Sequence, residues 1–246
     1  MNNKSKGFTL VELSIVLVII GLLIGGILVA QSMIGTTRTQ TTIRQIGQFD
    51  AAIANFQTKF NQLPGDTSLM GATAGNNDGK IDATTSFFKG EIGKFWSDLS
   101  ASGLTNPTGG GTFTDASAGA AWSTATSPLA SVGTNGFYFA FGSTAGTNFY
   151  IISNPSSTND GGHAIVPAPA LKPADALAID AKLDDGNAMT GNTLGTGVAD
   201  NTLAKAIAAP SADTCASHTS GLYTTGTQTV ACSLAIRIGV STGTLN

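Results

Sequence analysis

The sequence predicts an α+β fold in which one long N-terminal helix packs on an antiparallel β-sheet head. Three observations carry that expectation. An apolar run at 13–30 passes into an amphipathic helical pattern ending at Pro64-Gly65, two aromatic runs between 136 and 153 are spaced as a hairpin, and residues 230–241 alternate without a break.

The first element begins behind a basic leader, residues 1–7, which carries Lys4 and Lys6 and ends in Gly7. Residues 13–30 read LSIVLVIIGLLIGGILVA, with Ser14 the only conventionally polar side chain. At ~1.5 Å of rise per residue, this run just spans a bilayer. No basic residue follows until Arg38, so the positive-inside rule keeps the N-terminus cytoplasmic and places the rest of the chain outside. An ordinary secretory signal peptide fits less well. Its apolar core is ~7–15 residues long, and Leu28-Val29-Ala30 lacks the small residue three positions before a cut. Glu12 is out of place in such a segment. A charge at mid-bilayer costs on the order of 2.5–3.5 kcal/mol, less near the end of the span where Glu12 lies, and it calls for a partner. Gly21 and Gly25 have the G-x-x-x-G spacing that lets membrane helices approach closely, a weak signal by itself.

The stretch Gly7-Phe8-Thr9-Leu10-Val11-Glu12, followed by the apolar helix, resembles the N-terminus of type IV pilins and type II secretion pseudopilins. The resemblance implies that a prepilin peptidase cuts between Gly7 and Phe8 and methylates the new amino terminus of Phe8. It further implies assembly with like or related subunits on an inner-membrane platform, from a single-pass precursor whose head is periplasmic or extracellular. It covers the first 30 residues closely, with weaker support to 63, and lacks the helix-kinking proline of many pilins. Glu12 gains a role from it. The amine freed at Phe8 lies four residues earlier on the same helix face, and two charges in lipid are tolerable when paired, within one subunit or between neighbours. The plainer reading of Glu12 is a carboxylate reaching the headgroups.

Beyond the membrane segment (8–30), Ile46, Phe49, Ile53, Phe56, Phe60 and Leu63 are spaced 3-4-3-4-3, and Gln45, Gln48, Asp50, Asn55, Gln57 and Lys59 suit a wet face. The amphipathic segment is therefore 31–63, and a helix over 8–63 would be roughly 80 Å long. A stripe this short is the seam against the domain's own sheet more often than a coiled coil. The head is then 64–246. Its first part, 64–136, is Gly/Ser/Thr/Asn-rich and weakly periodic, apart from a helix expected over Glu91–Leu104 with Gly103 as its stop. Gly136–Gly142 and Asn148–Ser153 form the hairpin, and Lys172–Asp185 a helix with Pro173 in its first turn and Gly186 beyond it. In 230–241, Val230, Cys232, Leu234, Ile236, Ile238 and Val240 occupy alternate positions, which predicts a strand.

The two cysteines, Cys215 and Cys232, enclose 16 residues. Outside the cytoplasm they favour a disulfide, as in the C-terminal loop of many type IV pilins. With His218 they supply only three zinc ligands. Two acidic groups are calcium candidates. Asn76-Asn77-Asp78-Gly79-Lys80-Ile81-Asp82 carries Asp78 and Asp82 around a turn glycine but misses the first and last EF-hand ligands, and an ordinary turn explains it better. Asp180, Asp184 and Asp185 cluster at a helix C-terminus, where the dipole disfavours them and a cation or Arg237 would compensate.

Loss of residues 1–7 removes two of 12 basic residues, leaving 10 against 15 acidic and a formal charge of −5. No nucleic-acid partner is expected from that balance. Charged residues make up 11% of the chain, against ~25% in ordinary soluble domains, which suits a subunit covered by neighbours. His163 and His218 sit in loop sequence, and no G-x-S-x-G, H-E-x-x-H or phosphate loop occurs, so no enzyme is expected. The expectation is a pilin-like structural subunit of a pilus or pseudopilus. The mature length of 239 residues leans toward a minor subunit. A tethered adhesin that never polymerises is the alternative.

Overall fold

The computed structural model describes residues 7–70, 75–82, 90–106, 110–116, 123–142, 146–155, 167–196, 214–217 and 219–239. Lys4, Lys6, His163, His218 and the last positions of the alternating run lie outside these. The chain divides into two units, Met1–Arg38 and Thr39–Asn246.

In the first unit, helix α1 (Leu10–Phe60 in full) starts two residues after Phe8, and every residue from Gly7 to Arg38 is exposed. Its apolar window has a mean hydropathy of 3.0, so the helix is long and apolar enough to cross a membrane. Three hydroxyls in and beyond this run bond back to the helix's own carbonyls. Ser14 donates to Val11 O (2.9 Å), Thr36 to Ser32 O (3.2 Å) and Thr37 to Met33 O (2.9 Å).

The second unit is the α+β head. Ile46, Phe49, Ile53 and Phe56 of α1 are buried, as their spacing predicts. Asp50, expected on the wet face, is buried as well. It accepts hydrogen bonds from the Tyr150 hydroxyl (3.1 Å) and Gly239 N–H (2.9 Å). The helix stops at Phe60 rather than 63, because Asn61 turns left-handed (φ 53°) while its N–H still bonds Gln57 O at 2.7 Å. Leu63 is buried outside the helix.

The sheet is antiparallel throughout, in the order β1 (Phe137–Gly142), β2 (Asn148–Pro155), β5 (Ser233–Arg237), β4 (Thr193–Thr196), with β3 (Pro167–Ala168) paired to β2. The hairpin expected from the aromatic runs is β1–β2, in register from Phe137 opposite Ser153 to Gly142 opposite Asn148. Strand alternation puts Tyr138, Tyr150, Ile152, Leu234 and Ile236 on one face. That face meets α1: the Phe49 ring lies 5.0 Å from Tyr138 and 6.2 Å from Tyr150.

The expected strand over 230–241 is present but shorter, Ser233–Arg237. Ser233, Leu234, Ala235 and Ile236 are all buried, because β5 is a central strand covered on both faces. Small side chains at 233 and 235 suit the second face, where Ser233 Oγ bonds Ser153 Oγ (3.1 Å) and Ala168 O (3.2 Å). Helix α2 spans Glu91–Ala101, ending before the expected 104. Gly103 (φ 76°) follows it, and Leu104 N–H bonds Leu99 O while Gly103 N–H bonds Ser100 O, each at 3.0 Å. Helix α3 spans Pro173–Leu183, inside the expected 172–185, with Pro173 in its first turn.

Candidate functional site

The N-terminal junction is built from Thr9 and Glu12. Gly7, Phe8 and Thr9 are non-helical and exposed, and the helix begins at Leu10. Glu12 N–H bonds Thr9 Oγ1 (3.3 Å), while Glu12 Oε2 accepts from Thr9 N–H (2.8 Å) and Thr9 Oγ1–H (2.9 Å). This is a reciprocal capping box, with Thr9 as N-cap and Glu12 at the third helical position. A carboxylate there is favoured by the helix dipole. The signal was readable as Thr9-x-x-Glu12, but a membrane charge was the louder reading. The cap also leaves the Gly7–Phe8 peptide outside the helix.

A second site lies at the C-terminus of α3. Asp180 is fully buried, Asp184 half-buried and Asp185 exposed, and their nearest oxygens lie within 4.8 Å of one another. Each carboxylate already has protein donors. Asp180 accepts from the Tyr223 hydroxyl (2.8 Å) and Gly186 N–H (3.3 Å). Asp184 accepts from Thr193 N–H (3.1 Å) and from Asn192 N–H, and Asp185 from Asn187 N–H (2.8 Å) and Thr190 Oγ1–H (2.6 Å). Burial pushes Asp180 up to about 6, against the pull of the Tyr223 and Gly186 bonds and helped by the charges of Asp185 and Asp184. Arg237 does not meet the expectation of a compensating cation; its Nη1 donates to Asn192 Oδ1 at 3.4 Å. Three hard oxygen donors so close together could coordinate a divalent cation such as calcium.

Asp78 and Asp82 are not in that group. Asp78 makes a turn, its Oδ1 accepting from Lys80 N–H (2.9 Å) and its Oδ2 from Asn76 Nδ2 (3.1 Å). Two carboxylates that local spacing does not single out hold the surrounding loop. Asp66 accepts from Asp78 N–H (3.2 Å) and Gly79 N–H (2.8 Å), and Glu91 from Asn76 N–H (2.9 Å) and Asp82 N–H (3.0 Å). Only tertiary structure brings them there.

Cys215 and Cys232 form the expected disulfide, with Cα atoms 4.9 Å apart. In the chain-entropy model, closing a loop of this size contributes about 3 kcal/mol. Tyr223, inside this loop, is the residue that reaches Asp180, so the disulfide segment and α3 are tied together.

Residues 2–28 match the prokaryotic N-terminal methylation motif. That match covers the stretch on which the resemblance to type IV pilins and pseudopilins rests. No curated protein and no solved structure matches the chain. The motif and the helix-on-sheet head are consistent with a non-enzymatic structural protein of the pilin-like kind.

Proposed function

We propose that the chain is a type IV pilin-like subunit, cut by prepilin peptidase between Gly7 and Phe8, N-methylated on Phe8 and polymerised through α1 into a pilus or pseudopilus. The precursor sits in the inner membrane with its N-terminus cytoplasmic, and the head is periplasmic or extracellular. The methylation motif over 2–28, on an apolar first half of α1 whose residues are exposed up to Arg38, is the observation that carries this reading. That helix needs either lipid or neighbouring copies to cover it.

Moving apolar helices from lipid to a filament core is roughly neutral in hydrophobic energy, so packing and polar pairing set the order. Before cleavage, Glu12 is held by Thr9. Cleavage creates a cationic amine at Phe8, and Glu12 pairs with that of its own or a neighbouring subunit. Glu12→Val is expected to insert and be cleaved at Gly7–Phe8, yet to enter sheared surface filaments poorly. Filament yield equal to that of the unsubstituted chain would rule out the pairing role.

A further inference from the structure

We propose that Asn135 is a self-modification site, at which the chain's own backbone converts the Asn135 amide to an acid through a cyclic imide. Asn135-Gly136 is the one Asn-Gly pair in the chain. Asn135 has a left-handed backbone (φ 51°) and ends the exposed stretch Gly133, Thr134, Asn135 that leads into β1. Asparagine tolerates that conformation better than most residues with a side chain.

What singles the pair out is the peptide that joins it. The Gly136 N–H, the Asn135 carbonyl and the Asn135 side-chain amide make no hydrogen bond among the described residues. The flanking groups are held. Thr134 N–H bonds Ala170 O (2.8 Å), and Gly136, itself buried, accepts at its carbonyl from Ala130 N–H (2.7 Å). The joining peptide can therefore turn without breaking a hydrogen bond, which brings the Gly136 nitrogen to Asn135 Cγ. Glycine has no Cβ to obstruct that approach. Other asparagines lack this freedom, because the N–H that follows each is bonded. Asp78 N–H, after Asn77, donates to Asp66 (3.2 Å). Ala188 N–H, after Asn187, donates to Gly221 O (2.9 Å), and Thr193 N–H, after Asn192, to Asp184 (3.1 Å).

The step balances with water alone. The Gly136 nitrogen bonds Asn135 Cγ and loses its proton to solvent, while the Cγ–Nδ2 bond breaks and the nitrogen takes up a proton and leaves as ammonia. Water then opens the ring at either carbonyl. One opening gives aspartate, the other isoaspartate, with the main chain routed through the side chain. Both products add a negative charge. Isoaspartate also lengthens the main chain beside the Ala130–Gly136 and Tyr138–Pro128 bonds that close the edge of β1.

The test is residue-resolved mass spectrometry of the full-length chain aged in detergent at mildly alkaline pH, beside the same chain aged in urea. Asn135 should convert in the folded chain at a rate within about tenfold of that in urea, since one backbone hydrogen bond is worth up to about tenfold in rate and none has to break here. Folding should slow Asn77, Asn187 and Asn192 by a larger factor than Asn135, a comparison that cancels the effect of the following residue. A folded chain that keeps its amide at 135 overturns the proposal, whatever happens in urea. Equal slowing at all four positions overturns it as well, since the free peptide would then not be what selects Asn135.

Discussion

Asp50 of α1 accepts the phenolic hydrogen of Tyr150 at 3.1 Å, and the same oxygen takes Gly239 N–H at 2.9 Å. One buried carboxylate thus joins the helix, strand β2 and the chain leaving β5. Burial, together with the Asp50 charge, holds the Tyr150 hydroxyl well above its usual pKa, so the tyrosine remains a neutral donor.

This geometry predicts an order of stabilities. Asp50→Ala leaves two buried donors behind and should cost about 3 kcal/mol, at ~1–3 kcal/mol for each unsatisfied group. Tyr150→Phe leaves Asp50 bonded to Gly239 and should cost about 1 kcal/mol less or better. Urea denaturation of the two variants decides it. Equal costs, or a costlier Tyr150→Phe, would mean that Asp50 is not the organising group.

The fate of Asp50 shows what the sequence could and could not reveal. The stripe Ile46, Phe49, Ile53, Phe56 was legible because burial follows helical period, but the same rule places a neighbouring carboxylate in water. Its burial depends on Tyr150, a hundred residues away. The hairpin and the disulfide were legible for local reasons, turn spacing in one and compartment in the other. The strand within 230–241 was legible from its period-two alternation, but alternation does not show that it is central, with Ser233 and Ala235 buried on its second face, or that it spans only Ser233–Arg237. Around the sites, Asp180 and Asp184 were visible as an i,i+4 pair. Their donors Tyr223 and Thr193, and the clamps Asp66 and Glu91, come from distant segments and left no local trace.

The aspartate cluster yields a binding prediction. If calcium replaces the protein donors as the partner of Asp180, Asp184 and Asp185, millimolar calcium should raise Tm relative to chelator. Ligand at a hundred times its Kd adds ~2.7 kcal/mol, or several degrees for a chain of this size. Asp185→Asn, at the exposed member of the cluster, should abolish the shift while barely changing Tm in chelator. Identical melting with calcium and chelator would leave the cluster satisfied by Tyr223, Thr193 and Thr190 alone.

The carboxylates of α2 set a pH dependence with a definite sign. Burial pushes Glu91 up to about 7, against the pull of the Asp82 and Asn76 N–H bonds and reinforced by the charges of Asp66 and Asp82. Burial likewise pushes Asp98 up to about 6, against the Gly65 N–H bond and the nearby Lys94 charge, and with the Asp115 charge reinforcing it. Both values lie above those of the unfolded chain, 4.5 and 3.8, so the folded head binds more protons than the unfolded one across this interval. Stability must therefore rise as pH falls from about 7.5 toward 4.5, the reverse of a salt-bridged carboxylate. Urea midpoints should be higher at about pH 5 than at about pH 8. Asp180, pushed up to about 6 by burial, acts in the same direction, and Glu91→Gln removes one of these upward shifts while keeping one acceptor for the 76–82 loop, so it should reduce the slope. A midpoint that climbs toward alkaline pH would show that the N–H bonds outweigh burial and that Glu91 is a stabilising anion.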